Sequence, residues 1–197
     1  MNQKKKHKYI IEESKGVFVF VDDKRQREKT ENTIKIMNQN SNLGYNLLSP
    51  HDNKIKNRII RKGIKNIDNY MSNDYYGDGI QWIFSGYPHD ECKLFLTEIS
   101  FTSNKYNVFG IKPNDNIYDS KKILENYGYK ITKEHTYSWI ENVYKKNDLY
   151  ILLITKYDSN KKFSQIKECK LDKNEEQTKI IQIIIEVDTL YLGNMIY

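Results

Sequence analysis

Alanine is absent from this chain, and there are only two cysteines, three prolines and nine glycines among its 197 residues. Two cysteines 77 positions apart, Cys92 and Cys169, exclude a disulfide framework and any paired-cysteine metal motif, leaving at most one bridge. No apolar run is long enough for a signal peptide or a membrane-spanning helix, and the opening "MNQKKKHKYIIEES" is basic without being greasy. Location stays open: cytoplasmic as the chain stands, or exported if a signal or anchor once preceded it. There is no glycine-rich phosphate loop, no dinucleotide fingerprint and no Gly-x-Ser-x-Gly elbow. The missing alanine, set against abundant Lys, Asn, Ile and Tyr, reads as the bias of an AT-rich bacterial genome. Individual lysines and asparagines therefore carry little functional weight.

What is present is enough to fold. Hydrophobic residues make up 38% and charged residues 29%, which suits one domain, or two small units sharing a core, with a well-solvated surface. The sixteen tyrosines suit half-buried sheets and binding surfaces alike, since each has an apolar body and a polar tip. Charge is uneven. Residues 1–70 hold 16 Lys/Arg and 8 Asp/Glu, net +8, whereas 71–197 hold 16 and 18, net −2. A basic arm for nucleic acid or an anionic surface is one reading; a solvated, lysine-biased segment is the simpler one.

The order of elements points to an α+β fold. "GVFVFVDD" (16–23) reads as a strand. "KRQREKTENTIKIMNQN" is mostly charged, with Ile34, Ile36 and Met37 as its apolar anchors, so a short or loosely held helix is expected there. Residues 41–53 should form a loop. From Lys54 to about residue 72, Ile55, Ile59, Ile60, Ile64, Ile67, Tyr70 and Met71 fall at helical spacings opposite a basic face. Three apolar runs follow (80–87, 93–102 and 105–111), the last two separated by Ser-Asn, which predicts a tight hairpin.

The most legible stretch is "GIKPNDNIYDSKKILENYGYK" (110–130). Asp115 or Asn116 can cap a helix whose Ile117, Ile123, Leu124 and Tyr127 lie within about 120° of a helical wheel. Gly128 sits where a left-handed C-terminal cap belongs. Strands are expected again at 135–144, 149–157, near 162–169 and at 179–192. In the last, Ile181, Ile183, Ile185 and Val187 should share one face, with Ile180, Gln182, Ile184, Glu186 and Asp188 on the other. The 110–130 stretch thus reads as fold skeleton rather than active site.

These residues carry a resemblance. Gly110, Ile117, Ile123, Leu124 and Gly128 match the lead-in, short helix and closing glycine of helix–meander modules of the beta-lactamase-inhibitor-protein and outer-membrane-assembly-lipoprotein type. The match covers about 20 residues closely and residues 54–192 in outline, although the first copy lacks the proline lead-in. The resemblance implies an antiparallel β-meander sheet with amphipathic helices on one face, as two tandem helix–meander repeats. The divisions would be a basic N-terminal segment (1–50), a first unit (51–111) and a second (112–197). Such modules are mostly non-enzymatic and bind other proteins with a sheet face and loops.

Chemistry-bearing groups are few. Asp22 and Asp23 end a strand as magnesium ligands can, but that reading needs alternating strands and helices downstream, and the strand-rich chain makes a solvated turn or helix cap the better one. "HDEC" (89–92) groups four potential ligands, but His7, His51 and His135 are isolated, so a polar loop after Pro88 is the plainer reading, and no metal or cofactor is expected. Cys92 with a histidine has no supporting spacing for nucleophilic catalysis. An enzyme is the least supported class.

Two binding classes remain. The favoured one is a non-catalytic protein-binding or inhibitory module acting through an aromatic-rich sheet face, with Tyr75, Tyr76, Trp82, Tyr87, Tyr137 and Trp139 as candidate contacts, because interfaces favour Tyr and Trp. The alternative is a nucleic-acid-binding protein using Lys54, Lys56, Arg58, Arg61, Lys62 and Lys65, whose charges would crowd one side of a helix.

Overall fold

A computed structural model of the chain describes residues 9–13, 16–20, 24–54, 65–69, 72–85, 94–132, 142–155 and 178–188. Its strands are β1 (Tyr9–Glu13), β2 (Gly16–Phe20), β3 (Ser41–Asn42), β4 (Lys65–Asn69), β5 (Ser72–Gly77), β6 (Ile80–Ser85), β7 (Phe95–Phe101), β8 (Asn107–Val108), β9 (Lys130–Ile131), β10 (Val143–Lys146), β11 (Leu149–Thr155) and β12 (Ile180–Val187). The helices are α1 (Lys24–Gln39) and α2 (Ile117–Asn126).

Eight strands form one antiparallel sheet in the order β4-β5-β6-β7-β12-β11-β10-β9. It consists of two runs of four strands sequential in the chain, joined through the last strand of each. β1–β2 and β3–β8 are separate two-stranded ladders. The expected α+β architecture with an antiparallel sheet and helices on one face is present.

The inner face is a set of cross-strand rows. Tyr75, Trp82, Ile99, Ile185, Ile151 and Tyr144 stand opposite one another in turn, as do Ile80, Phe101, Ile183 and Leu153. All of these are buried in one core with Ile34 and Met37 of α1, Leu43 and Leu47 of the following loop, and Ile117 and Leu124 of α2. Both helices and that loop therefore cover a single face. Burying each large apolar side chain contributes about 1.5–3 kcal/mol, so this face dominates the stability.

α1 corrects the expectation of a short, loosely held helix, for it runs 16 residues. Its buried stripe is Thr30, Thr33, Ile34 and Met37, at helical spacing, with two threonines standing where aliphatic residues were sought. Residues 65–69 also differ from the helix expected through residue 72: they pair with β5 as β4. Ile64 and Ile67 fit a helical period, but the exposed edge of β5 offers a ladder, and pairing overrides a weak spacing. The hairpin expected between 93–102 and 105–111 is absent. Thr102 and Ser103 donate their N–H groups to Gly79 O, the chain turns at Ser103–Tyr106, and β8 pairs with β3. The edge of β7 goes instead to β12.

Two bulges set which side chains face inward. In β7 the register shifts so that Phe84 faces Leu96 while Ile83 faces Glu98, leaving Thr97 unpaired, its Oγ1 donating to Ile83 O. In β12, Thr155 pairs with Ile180 while Ile154 pairs with Gln182. The extra residue, Ile181, is 45% exposed and Ile180 is fully buried, so the inward face expected for Ile181 passes to Ile180.

The 110–130 stretch is skeleton, as read. Asn116 Oδ1 accepts the N–H groups of Tyr118 and Asp119, capping α2, a contact whose removal typically costs about 1 kcal/mol. Gly128, at φ +81°, donates to Glu125 O, and Tyr129 donates to Leu124 O, which closes the helix with the expected left-handed glycine. The lead-in bonds to the start of β12 through Asn114 N to Ile180 O, Ile180 N to Asp115 O and Ile117 N to Thr178 O.

Candidate interaction face of the sheet

The second face of the sheet is built differently. Because successive side chains alternate, the residues left over from the inner rows form two outer rows. One runs Tyr76, Gln81, Ser100, Ile184, Leu152, Val143; the other runs Asp74, Ile83, Glu98, Glu186, Tyr150, Lys145, Lys130. Val143, Tyr150 and Leu152 form a small second cluster with Ile184 against it. Tyr76, Ile83 and Ile184 stay half-exposed. Gln182 Nε2 donates to Ser100 Oγ at 2.6 Å across the β7–β12 joint.

The electrostatics of this face centre on Glu98. Burial raises its carboxyl first, and the nearby charges of Glu186 and Asp74 add to that, pushing it up to about 7. Among the described residues no hydrogen bond or ion pair reaches the Glu98 carboxyl, and Asp74 Oδ1 is buried without a hydrogen-bond partner. On the far side of the joint Lys145 Nζ lies 5.0 Å from the ring centre of Tyr150.

The residues expected to form a binding face divide sharply. Tyr75 is fully buried and Trp82 is 2% exposed, so both belong to the core and the expectation that they meet a partner is corrected. As directly paired neighbours on β5 and β6, they turn inward together. Trp82 Nε1 donates to Leu43 O at 3.0 Å, and Tyr45 packs edge-on to its ring. His51 is hydrogen-bonded to the Tyr75 hydroxyl and stacks on that ring. Tyr76 does lie on the outer face. Tyr87, Tyr137 and Trp139 lie outside the described residues, as do His89–Cys92, Cys169, Asp22 and Asp23.

Of the basic set, Lys54 is exposed, and Lys65 belongs to β4, in register with Tyr76. Lys56, Arg58, Arg61 and Lys62 lie outside the described residues. The residues missed from sequence are three polar members of the outer rows, Gln81, Glu98 and Ser100. Strand alternation was a usable signal for them, but the Thr97 bulge obscures it.

Among the described residues there is no group of three or more His, Cys, Asp or Glu placed to hold a metal ion. A shallow hollow of about 360 Å³ beside α1 has Ile34 and Leu48 as its apolar floor and Glu31, Lys35 and Asn46 on its rim. No helix of the described residues is long and apolar enough to cross a membrane. Comparison with models of known protein families, with characterised proteins and with solved structures returned no match in any of the three.

Proposed function

We propose that this chain is a non-catalytic protein-binding or inhibitory module whose contact surface is the outer face of the sheet. The observation that carries this reading is the half-exposure of Tyr76, Ile83 and Ile184 among polar side chains, while the inner face is spent on the helices. A patch in which apolar side chains alternate with Gln81, Ser100, Gln182 and Glu186 has the mixed character of a protein interface. Large aromatic and aliphatic groups of this kind supply most of the energy where they become fully desolvated.

The test is salt-stepped, nuclease-treated capture from source-cell lysate, comparing the wild-type chain with Ile83→Lys, Ile184→Lys and Tyr76→Ala. A control charge change is placed on the exposed Glu125 of α2. A partner that survives nuclease and high salt, is lost with the face variants and is kept by the control supports the proposal. Recovery that vanishes with nuclease or moderate salt moves the function to nucleic acid, where binding falls steeply with ionic strength. Face variants that fold, by circular dichroism, and still capture every partner refute the proposed surface.

A further inference from the structure

The joint between the two four-strand runs has an unusual register. Glu98 of β7 stands directly opposite Glu186 of β12. Directly opposed residues in an antiparallel pair have Cβ atoms only about 5 Å apart, and like charges there oppose pairing. On the other side of Glu98, Ile83 intervenes before Asp74. Three carboxyl groups therefore occupy one row, and the joint runs through the middle of it.

The groups facing Glu98 can be followed element by element. β6 presents Ile83, with Gln81 and Ser85 to either side along its strand; β5 presents Asp74. β12 presents Glu186, beside Ile184, and Ser100 of β7 is engaged by Gln182. β11 presents Tyr150, whose hydroxyl contacts Asp188 Oδ2 at 3.5 Å. The first cation along the row, Lys145 on β10, is three strands from Glu98 and lies over the Tyr150 ring. No described cation neutralises Glu98, and no described donor bonds to it.

We propose that the β7–β12 joint is a proton-operated clasp: Glu98 keeps its proton while it stands opposite Glu186, and loss of that proton to solvent sets two carboxylates against each other across the joint and loosens the pairing of the two runs. This proposal does not depend on the function proposed above.

The sign is the reverse of the common carboxylate case. The Glu98 carboxyl, ordinarily at 4.5, is raised to about 7 in the folded chain, mainly by burial. The folded state therefore holds a proton that the unfolded state has released. The stabilisation from this group is complete below about 4.5 and disappears as pH rises through about 7.

The experiment is urea denaturation of the full chain from pH 5.5 to 8.5, for the wild type, Glu98→Gln and Glu186→Gln. Gln has the shape of the protonated acid and cannot ionise. The wild-type unfolding constant should rise by up to about tenfold per pH unit between pH 5.5 and 7 and level off above, the slope of one released proton. Glu98→Gln should match the wild type near pH 5.5 and lose most of that rise; Glu186→Gln should shift its midpoint to lower pH. A Glu98→Gln profile parallel to the wild type overturns the clasp. If the variant does not fold, carbon-13 NMR of the wild-type Glu98 carboxyl decides. A midpoint near 7 supports the proposal, and one in the ordinary glutamate range refutes it.

Discussion

Thr30 Oγ1 donates to Asp148 Oδ2 at 2.7 Å, tying the second turn of α1 to a hairpin turn 118 positions further along the chain. Gln26 Nε2 reaches the same carboxylate oxygen at 3.5 Å. The neighbouring turn residue, Asn147, at φ +53°, donates to Thr33 Oγ1 at 2.8 Å and to Lys29 O at 3.3 Å. The β10–β11 turn thus binds the very threonines that occupy the buried stripe of α1. A helix with few apolar residues is held because its polar ones have partners across the core.

Thr30→Val keeps the shape of the side chain but removes the donor. It should destabilise the fold by about 1–3 kcal/mol, since it leaves a part-buried carboxylate oxygen short of a bond. Asp148→Ala should cost a similar amount. Because the two residues act through one contact, the double variant should cost clearly less than the sum of the singles, by about 0.5–3 kcal/mol in a urea-denaturation cycle. Strict additivity would show that the latch is not an energetic unit.

Trp82→Ala should be a folding lesion. The ring is 2% exposed and its N–H is bonded to Leu43 O, so truncation should cost about 3–5 kcal/mol and abolish the cooperative transition in a chain of ordinary stability. Trp82→Phe should cost less but still leave Leu43 O without its donor. A Trp82→Ala chain with an unchanged urea midpoint would mean that the indole is not packed in the core.

Tyr129 offers the opposite test. It is 2% exposed, its hydroxyl oxygen has no hydrogen-bond partner among the described residues, and burial alone raises its ionisation well above the ordinary tyrosine range. Tyr129→Phe should therefore be neutral or stabilising, because the desolvated hydroxyl contributes no bond to the fold. A loss of more than about 1 kcal/mol on this change would reveal a bond to that oxygen. In an alkaline spectrophotometric titration, this phenol should ionise only together with unfolding.

Local signals were legible from sequence wherever cause and effect lie within a few residues. Asn116, Ile117, Leu124 and Gly128 announce α2 and both of its ends, since a cap is a bond between near neighbours. The apolar runs at 80–85, 95–101, 149–155 and 180–187 announce strands for the same reason. α1 was underread because Thr30 and Thr33 count as polar until the turn at Asn147–Asp148 is brought against them. The candidate face was misread at Tyr75 and Trp82 because an aromatic residue on a strand has no intrinsic side. Neither residue reveals, by itself, that the loop after β3, with Leu43, Tyr45 and His51, will cover it.

The sequence by itself determined the main strand runs of the sheet, the helix α2 with its caps, the antiparallel α+β class and the basic bias of the first 70 residues, all of which rest on composition or short-range periodicity. Tertiary structure decided the rest. It placed β12 between β7 and β11, put Glu98 opposite Glu186 and left Thr97 and Ile181 as the odd residues of two bulges. Strand order depends on which edges compete for hydrogen bonds, and one unpaired residue reverses every side chain beyond it. Such choices are energies of the whole sheet, and no single stretch of the chain contains them.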